Sequence, residues 1–74
     1  MTMPTADELK AAHDAVEVLK DRATAVALED AHEANWGVVS CLNRALYDLF
    51  GAYGYQLKRE QPEIFKRTQE DRIG

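Results

Sequence analysis

The feature that most constrains this chain is the long interval between its two prolines. Pro4 and Pro62 are the only prolines, and glycine is absent until Gly37. Since proline and glycine are the residues that most disfavour a helix interior, this interval favours helix throughout. Thr5 can cap a helix that starts at residue 6, and Glu8 stands at the position that completes a capping box. The sequence therefore predicts an all-α chain, organised as a single small domain over residues 1–74.

The first helix carries an apolar stripe. Apolar residues recur at alternating spacings of three and four, which places them along one side of a helix. The residues of this stripe are Leu9, Ala12, Val16, Leu19, Ala23 and Val26. Asp14, Glu17 and Asp21 lie on the other side and form a candidate acidic face. The stripe predicts a straight helix with one buried side.

The turn after the first helix has two possible positions. The run from Asp30 to Glu33 can form a second capping box, which gives helices over about 6–28 and 31–59. Alternatively, the first helix continues to residue 35, Gly37 supplies its C-cap, and the second helix covers about 38–59. Both alternatives predict an antiparallel helical hairpin. Pro62 then favours the start of a short third helix over about 63–71.

The second helix is apolar over an unusually wide arc of about 160°. One slim, alanine-rich helix cannot cover such an arc, so the second helix is expected to contact something else as well. We therefore expect the hairpin to dimerise into a helical bundle. Gly51 and Gly54 predict either a kink in this helix or a site of close backbone approach.

Aromatic residues are concentrated in the second helix and are the most informative feature for function. Trp and Tyr are common at interface hot spots, because they bury a large area and keep a polar group. The candidate residues for a partner-binding or dimer interface are Trp36, Leu42, Leu46, Tyr47, Leu49, Phe50, Tyr53 and Tyr55.

The sequence gives little support for a catalytic site or a metal site. Cys41 is the only cysteine and has no activating neighbour, so a buried structural role is expected and no internal disulfide can form. His13 and His32 are nineteen residues apart and lack the H-E-x-x-H spacing of a metal site. We expect no catalytic residues, no metal, no cofactor and no small-molecule substrate.

The net charge limits the kinds of partner that this protein is expected to bind. The formal net charge is −4, which makes nucleic-acid binding unlikely as a function. No secretory signal or apolar run of membrane-spanning length is visible, so a cytoplasmic location is expected. The sequence favours a non-catalytic protein–protein interaction module, a small acidic regulator or adaptor that also binds itself. The alternative is a phage- or mobile-element-encoded inhibitor of a host nucleic-acid-handling protein.

Overall fold

The structure is a computed structural model that describes residues 1–63. It contains two long helices, α1 (Ala6–Glu29) and α2 (Glu33–Glu60), which pack against each other as an antiparallel hairpin. The all-α fold and the hairpin are thus confirmed. The short third helix predicted over about 63–71 lies, apart from Glu63, outside the described residues.

The start of α1 is stabilised by the predicted capping box. The Glu8 backbone N–H donates to Thr5 Oγ1 at 3.1 Å, and the Thr5 backbone N–H donates to Glu8 Oε1 at 3.0 Å. The bond from the Thr5 backbone is the main reason that the pKa of Glu8 lies below its usual value, and the bond to the Thr5 side chain adds to it. The carboxylate therefore stabilises α1 more strongly when it is ionised than when it is protonated.

The turn between the helices lies at the earlier of the two possible positions, but it is capped differently from the sequence pattern. Asp30 closes α1 as its C-cap, and its N–H donates to the Val26 carbonyl at 2.8 Å. His32, and not Asp30, is the N-cap of α2, where its Nδ1 accepts from the Ala34 N–H at 3.0 Å. The Asn35 side-chain amide donates to the Asp30 carbonyl at 2.9 Å and ties the turn together.

Two of the roles suggested for the glycines of α2, a C-cap of α1 and a site of close backbone approach, are not found in residues 1–63. Gly37 lies inside the first turns of α2 and is not a C-cap of α1. The helix is continuous through Gly51 and Gly54, and a Cβ atom built on any of the three would meet nothing within 4 Å. Close backbone approach within residues 1–63 is therefore not the reason for these glycines.

The open end of the hairpin is joined by one long-range hydrogen bond. The Ala6 N–H, one of the unpaired donors of the first turn of α1, donates to Glu60 Oε2 at 2.7 Å. Ala6 itself is buried. This bond places the carboxylate at the end of α2 beside the positive end of the α1 dipole.

The stripe of α1 that packs on α2 differs from the predicted one. Leu9, Val16 and Ala23 are partly covered as expected, whereas Ala12, Leu19 and Val26 are exposed. The covered side of α1 instead contains the residues that directly follow these three, and one residue a turn before Leu9. These covered residues are His13, Lys20, Ala27 and Ala6. At 100° per residue this rotates the covered side of α1 by about 60° from the predicted stripe. The reason is that both stripes have the same alternation of three and four and share half of their members.

The core of the hairpin is thin. Among the described residues only Ala6, Ala27 and Leu46 are buried, and no large side chain is fully buried. Two helices packed side by side form a single layer, while a stable domain normally has two. The hairpin consequently presents two broad faces, one on each side of the plane through its helices.

Candidate partner-binding surfaces

The wide apolar arc of α2 is covered only at its middle. Leu46 lies at the centre and is 8% exposed, whereas Val38 at one edge is 51% exposed and Phe50 at the other is 65% exposed. The two edges lie on opposite sides of the contact with α1, about 120° apart on the helical wheel. Each edge therefore belongs to a different face of the hairpin.

The first face is mainly aliphatic, and we name it the apolar face. It is defined by Leu19 and Val26 of α1 together with Val38 and Leu42 of α2, which line a shallow groove of about 360 Å³. The groove is completed by Arg22, Ala23 and Asn35. Leu19 and Val26 are 47% and 54% exposed, so the apolar stripe predicted to be buried in the hairpin lies partly on this surface.

The second face combines aromatic and charged side chains, and we name it the aromatic–acidic face. It is defined by His13 and Asp14 of α1 with Tyr47 and Phe50 of α2, which line two adjoining shallow grooves. The Phe50 ring centroid lies 6.3 Å from that of His13 and 6.5 Å from that of Tyr53. These tilted ring contacts hold Phe50 in place while most of its surface stays open to solvent.

The predicted acidic residues lie along the outer edge of this second face. Asp14, Glu17 and Asp21 are all exposed, and their spacing of three and four keeps them on one side of α1. Asp14 Oδ1 is 3.3 Å from His13 Nδ1, which connects the acidic edge to the aromatic contact. The structure thus brings Asp14 close to Phe50, although the two residues lie on different helices.

The other candidate interface residues are divided among different environments. Trp36 lies eleven residues before Tyr47, which is about three helical turns and therefore the same side of α2. Leu42 and Leu49 are half-buried toward the apolar face, and Tyr53 is half-buried in the contact between the helices. Leu46 has little surface left for a partner.

Tyr55 is separated from both faces. Its position is about 180° from Leu46 on the helical wheel, and its side chain is 81% exposed. The cluster of aromatic residues seen in the sequence therefore does not form one surface. Sequence reasoning also missed the exposure of Leu19, Val26 and Val38. The apolar pattern gave no signal of it, because the covered side of α1 includes the polar residues His13 and Lys20.

Groups able to carry chemistry are not assembled in the described part of the chain. Within residues 1–63 no three His, Cys, Asp or Glu side chains converge as a metal site requires. Cys41 is exposed, so the expectation of a buried structural cysteine is wrong. What these surfaces offer chemically is apolar area, aromatic rings and negative charge.

Comparisons with known proteins give no information about which of these surfaces is functional. No protein-family model matches the chain, and neither curated proteins nor solved structures include a significant match. Neither α1 nor α2 has the combination of length and apolar character that a membrane-crossing helix needs.

Proposed function

We propose that this protein is a non-catalytic protein–protein interaction module, a small acidic regulator or adaptor that docks its aromatic–acidic face on another protein. The observation that carries the proposal is that Tyr47 and Phe50, 73% and 65% exposed, lie on the same face as Asp14. Exposed aromatic residues anchor interfaces by filling apolar pockets, and neighbouring charges select the partner and its orientation.

The chemistry of the face specifies the partner. Its acidic edge, formed by Asp14, Glu17 and Asp21, favours a partner surface that is rich in Lys and Arg. The two exposed rings favour an apolar pocket within that basic surface. The partner is therefore a protein with a basic rim around an apolar pocket, bound more weakly as the salt concentration rises.

The test is affinity capture from a lysate of the source organism with three forms of the full chain. Tyr47→Ala removes an exposed ring from the aromatic–acidic face, and Tyr55→Ala removes an equally exposed ring from outside it. We expect the wild type and Tyr55→Ala to capture the same protein, and Tyr47→Ala to capture at least about tenfold less. Recovery of no protein other than this chain, or equal loss with both variants, would contradict the proposal.

The alternative function is a phage- or mobile-element-encoded inhibitor of a host nucleic-acid-handling protein. The exposure of all three acidic residues on one edge favours it, because proteins that bind nucleic acid carry basic grooves of complementary charge. The same capture separates the two functions by the identity of the partner. A captured nuclease or DNA-binding protein whose activity falls in the presence of an equimolar amount of this chain would favour the inhibitor.

A further inference from the structure

The apolar face raises a separate question, because it lies across the hairpin from the proposed partner-binding face. Leu19, Val26 and Val38 each leave about half of their surface exposed, and they surround one groove with Leu42. Single exposed aliphatic residues are ordinary on a protein surface, but a continuous apolar patch shared by two helices indicates an interaction site.

The hairpin needs a second layer over one of its faces. Leu46 is its only large buried side chain within residues 1–63. A core of this size supplies little of the hydrophobic stabilisation that offsets chain entropy in a domain of fewer than about 80 residues. Oligomerisation is one of the usual ways in which such small chains gain the missing buried area.

Charge indicates that the second layer is another copy of the chain and that it covers the apolar face. In a two-fold symmetric dimer the same patch meets itself, so a patch that carries mainly one sign of charge faces like charge. Arg22 is the only charged residue in the groove of the apolar face. The aromatic–acidic face instead carries the three acids Asp14, Glu17 and Asp21 against the single base Lys10, so pairing it with itself would bring a net negative surface toward a like surface, which is unfavourable.

The side of the hairpin that carries the apolar face is long and wide enough for such a dimer. The 24 residues of α1 span about 36 Å, and two helices side by side are about 20 Å wide. One side of the hairpin therefore offers roughly 700 Å², close to the roughly 800 Å² that each partner buries in a stable interface of standard size.

We propose that a second copy of this chain packs on the apolar face and forms a four-helix bundle with the first. The pairing buries Leu19, Val26 and Val38 of both copies and leaves the aromatic–acidic face of each directed outward. This inference rests on the proposed function in one respect: it makes the dimer a bivalent docking module, which binds a partner with two sites more tightly than a single hairpin does.

The experiment compares two valine substitutions in the full chain. Val38→Glu places a charge on the apolar face, and Val18→Glu places the same charge on a similarly exposed valine at the outer side of α1. Sedimentation equilibrium over about a hundredfold range of protein concentration gives the mass, and circular dichroism gives the helix content. Thermal unfolding of the wild type at several concentrations adds an independent readout, because the midpoint of an unfolding dimer rises with concentration.

We expect the wild type and Val18→Glu to sediment at twice the chain mass of 8.3 kDa. Val38→Glu should weaken dimerisation by at least about tenfold, because the symmetric contact would bury two carboxylates whose only charged neighbour in the groove of each copy is Arg22. If this variant fails to fold, the milder Val38→Ala should raise the dissociation constant of the dimer and lower the unfolding midpoint at a given protein concentration. A helical wild-type monomer with a concentration-independent midpoint, whether its apolar face is covered by residues 64–74 or by nothing, would overturn the proposal.

The capture experiment keeps this inference distinguishable from the proposed function. Tyr47→Ala lies on the other face, so it should remain a dimer while it loses the captured partner. A monomeric wild type that still captures a partner through Tyr47 would refute the dimer and leave the interaction module intact. A wild type that forms a dimer but captures no partner would refute the interaction module and leave the dimer intact.

Discussion

Leu46→Ala is the sharpest test of how the hairpin is stabilised, because Leu46 is the only large side chain buried between the described helices. Truncation of a buried leucine costs about 2–5 kcal/mol, and the cost is greatest where the surrounding residues cannot relax into the cavity. Leu46 also lines an open groove beside His13, Tyr47 and Phe50, so solvent and these rings can occupy part of the space. We therefore expect a loss at the lower end of the range, about 2 kcal/mol.

A loss of this size is large for so small a chain. Since the core of a domain of this length seldom supplies more than about 3–5 kcal/mol, Leu46→Ala should remove about half of the stability. Urea unfolding followed by far-ultraviolet circular dichroism measures the change as a shift of the midpoint at an unchanged slope. All samples are compared at one protein concentration, because association would otherwise shift the midpoint.

Leu28→Ala is the matched control for this prediction. Leu28 is 72% exposed at the end of α1, and its truncation should change the free energy of unfolding by no more than about 0.5 kcal/mol. An equal loss in both variants would show that stability does not depend on burial within this hairpin. A loss below about 0.5 kcal/mol for Leu46→Ala would refute the assignment of the core.

Three further predictions concern the helices and their ends. Gly51→Ala should raise the free energy of unfolding by about 1 kcal/mol in urea titrations, because the added Cβ meets no atom within 4 Å and alanine is the better helix former. Glu60→Gln should lower it by about 1 kcal/mol, because the Ala6 N–H loses an ionised acceptor at the start of α1. The pKa of Glu8 is lower in the folded chain than in the unfolded chain, so its contribution is fully present above the unfolded value and is lost as the pH falls through the folded value. Unfolding midpoints measured at decreasing pH should show this loss in the wild type and not in Glu8→Gln, whereas parallel curves would exclude Glu8 as a source of acid sensitivity.

Local chemistry along the chain was enough to predict several features of the fold. The capping box of Thr5 and Glu8 depends on residues three apart, so its geometry follows from the helix itself. The proline-free interval and the apolar periodicity are local as well, and they predicted the helices that the structure contains. The turn was less certain, because Asp30 and His32 are both able to cap a helix and only the packed hairpin shows which one does.

The two faces could not be predicted from either helix alone. An apolar pattern of three and four fixes the buried side of a helix only approximately. On α1 a second set of positions with the same spacing, which includes the polar residues His13 and Lys20, shares Leu9, Val16 and Ala23 with the apolar pattern. Packing against α2 selected one pattern and left Leu19 and Val26 exposed beside Val38. It also brought Asp14 next to Phe50, two residues that are distant in the sequence.

Within residues 1–63 the sequence by itself thus determined the two helices and the capping box of α1, because these depend on composition or on neighbours a few residues apart. Only the tertiary structure decided which apolar residues are core and which are surface. The rotation of α1 about its own axis depends on how two irregular surfaces fit together, and that fit separates the apolar face from the aromatic–acidic face.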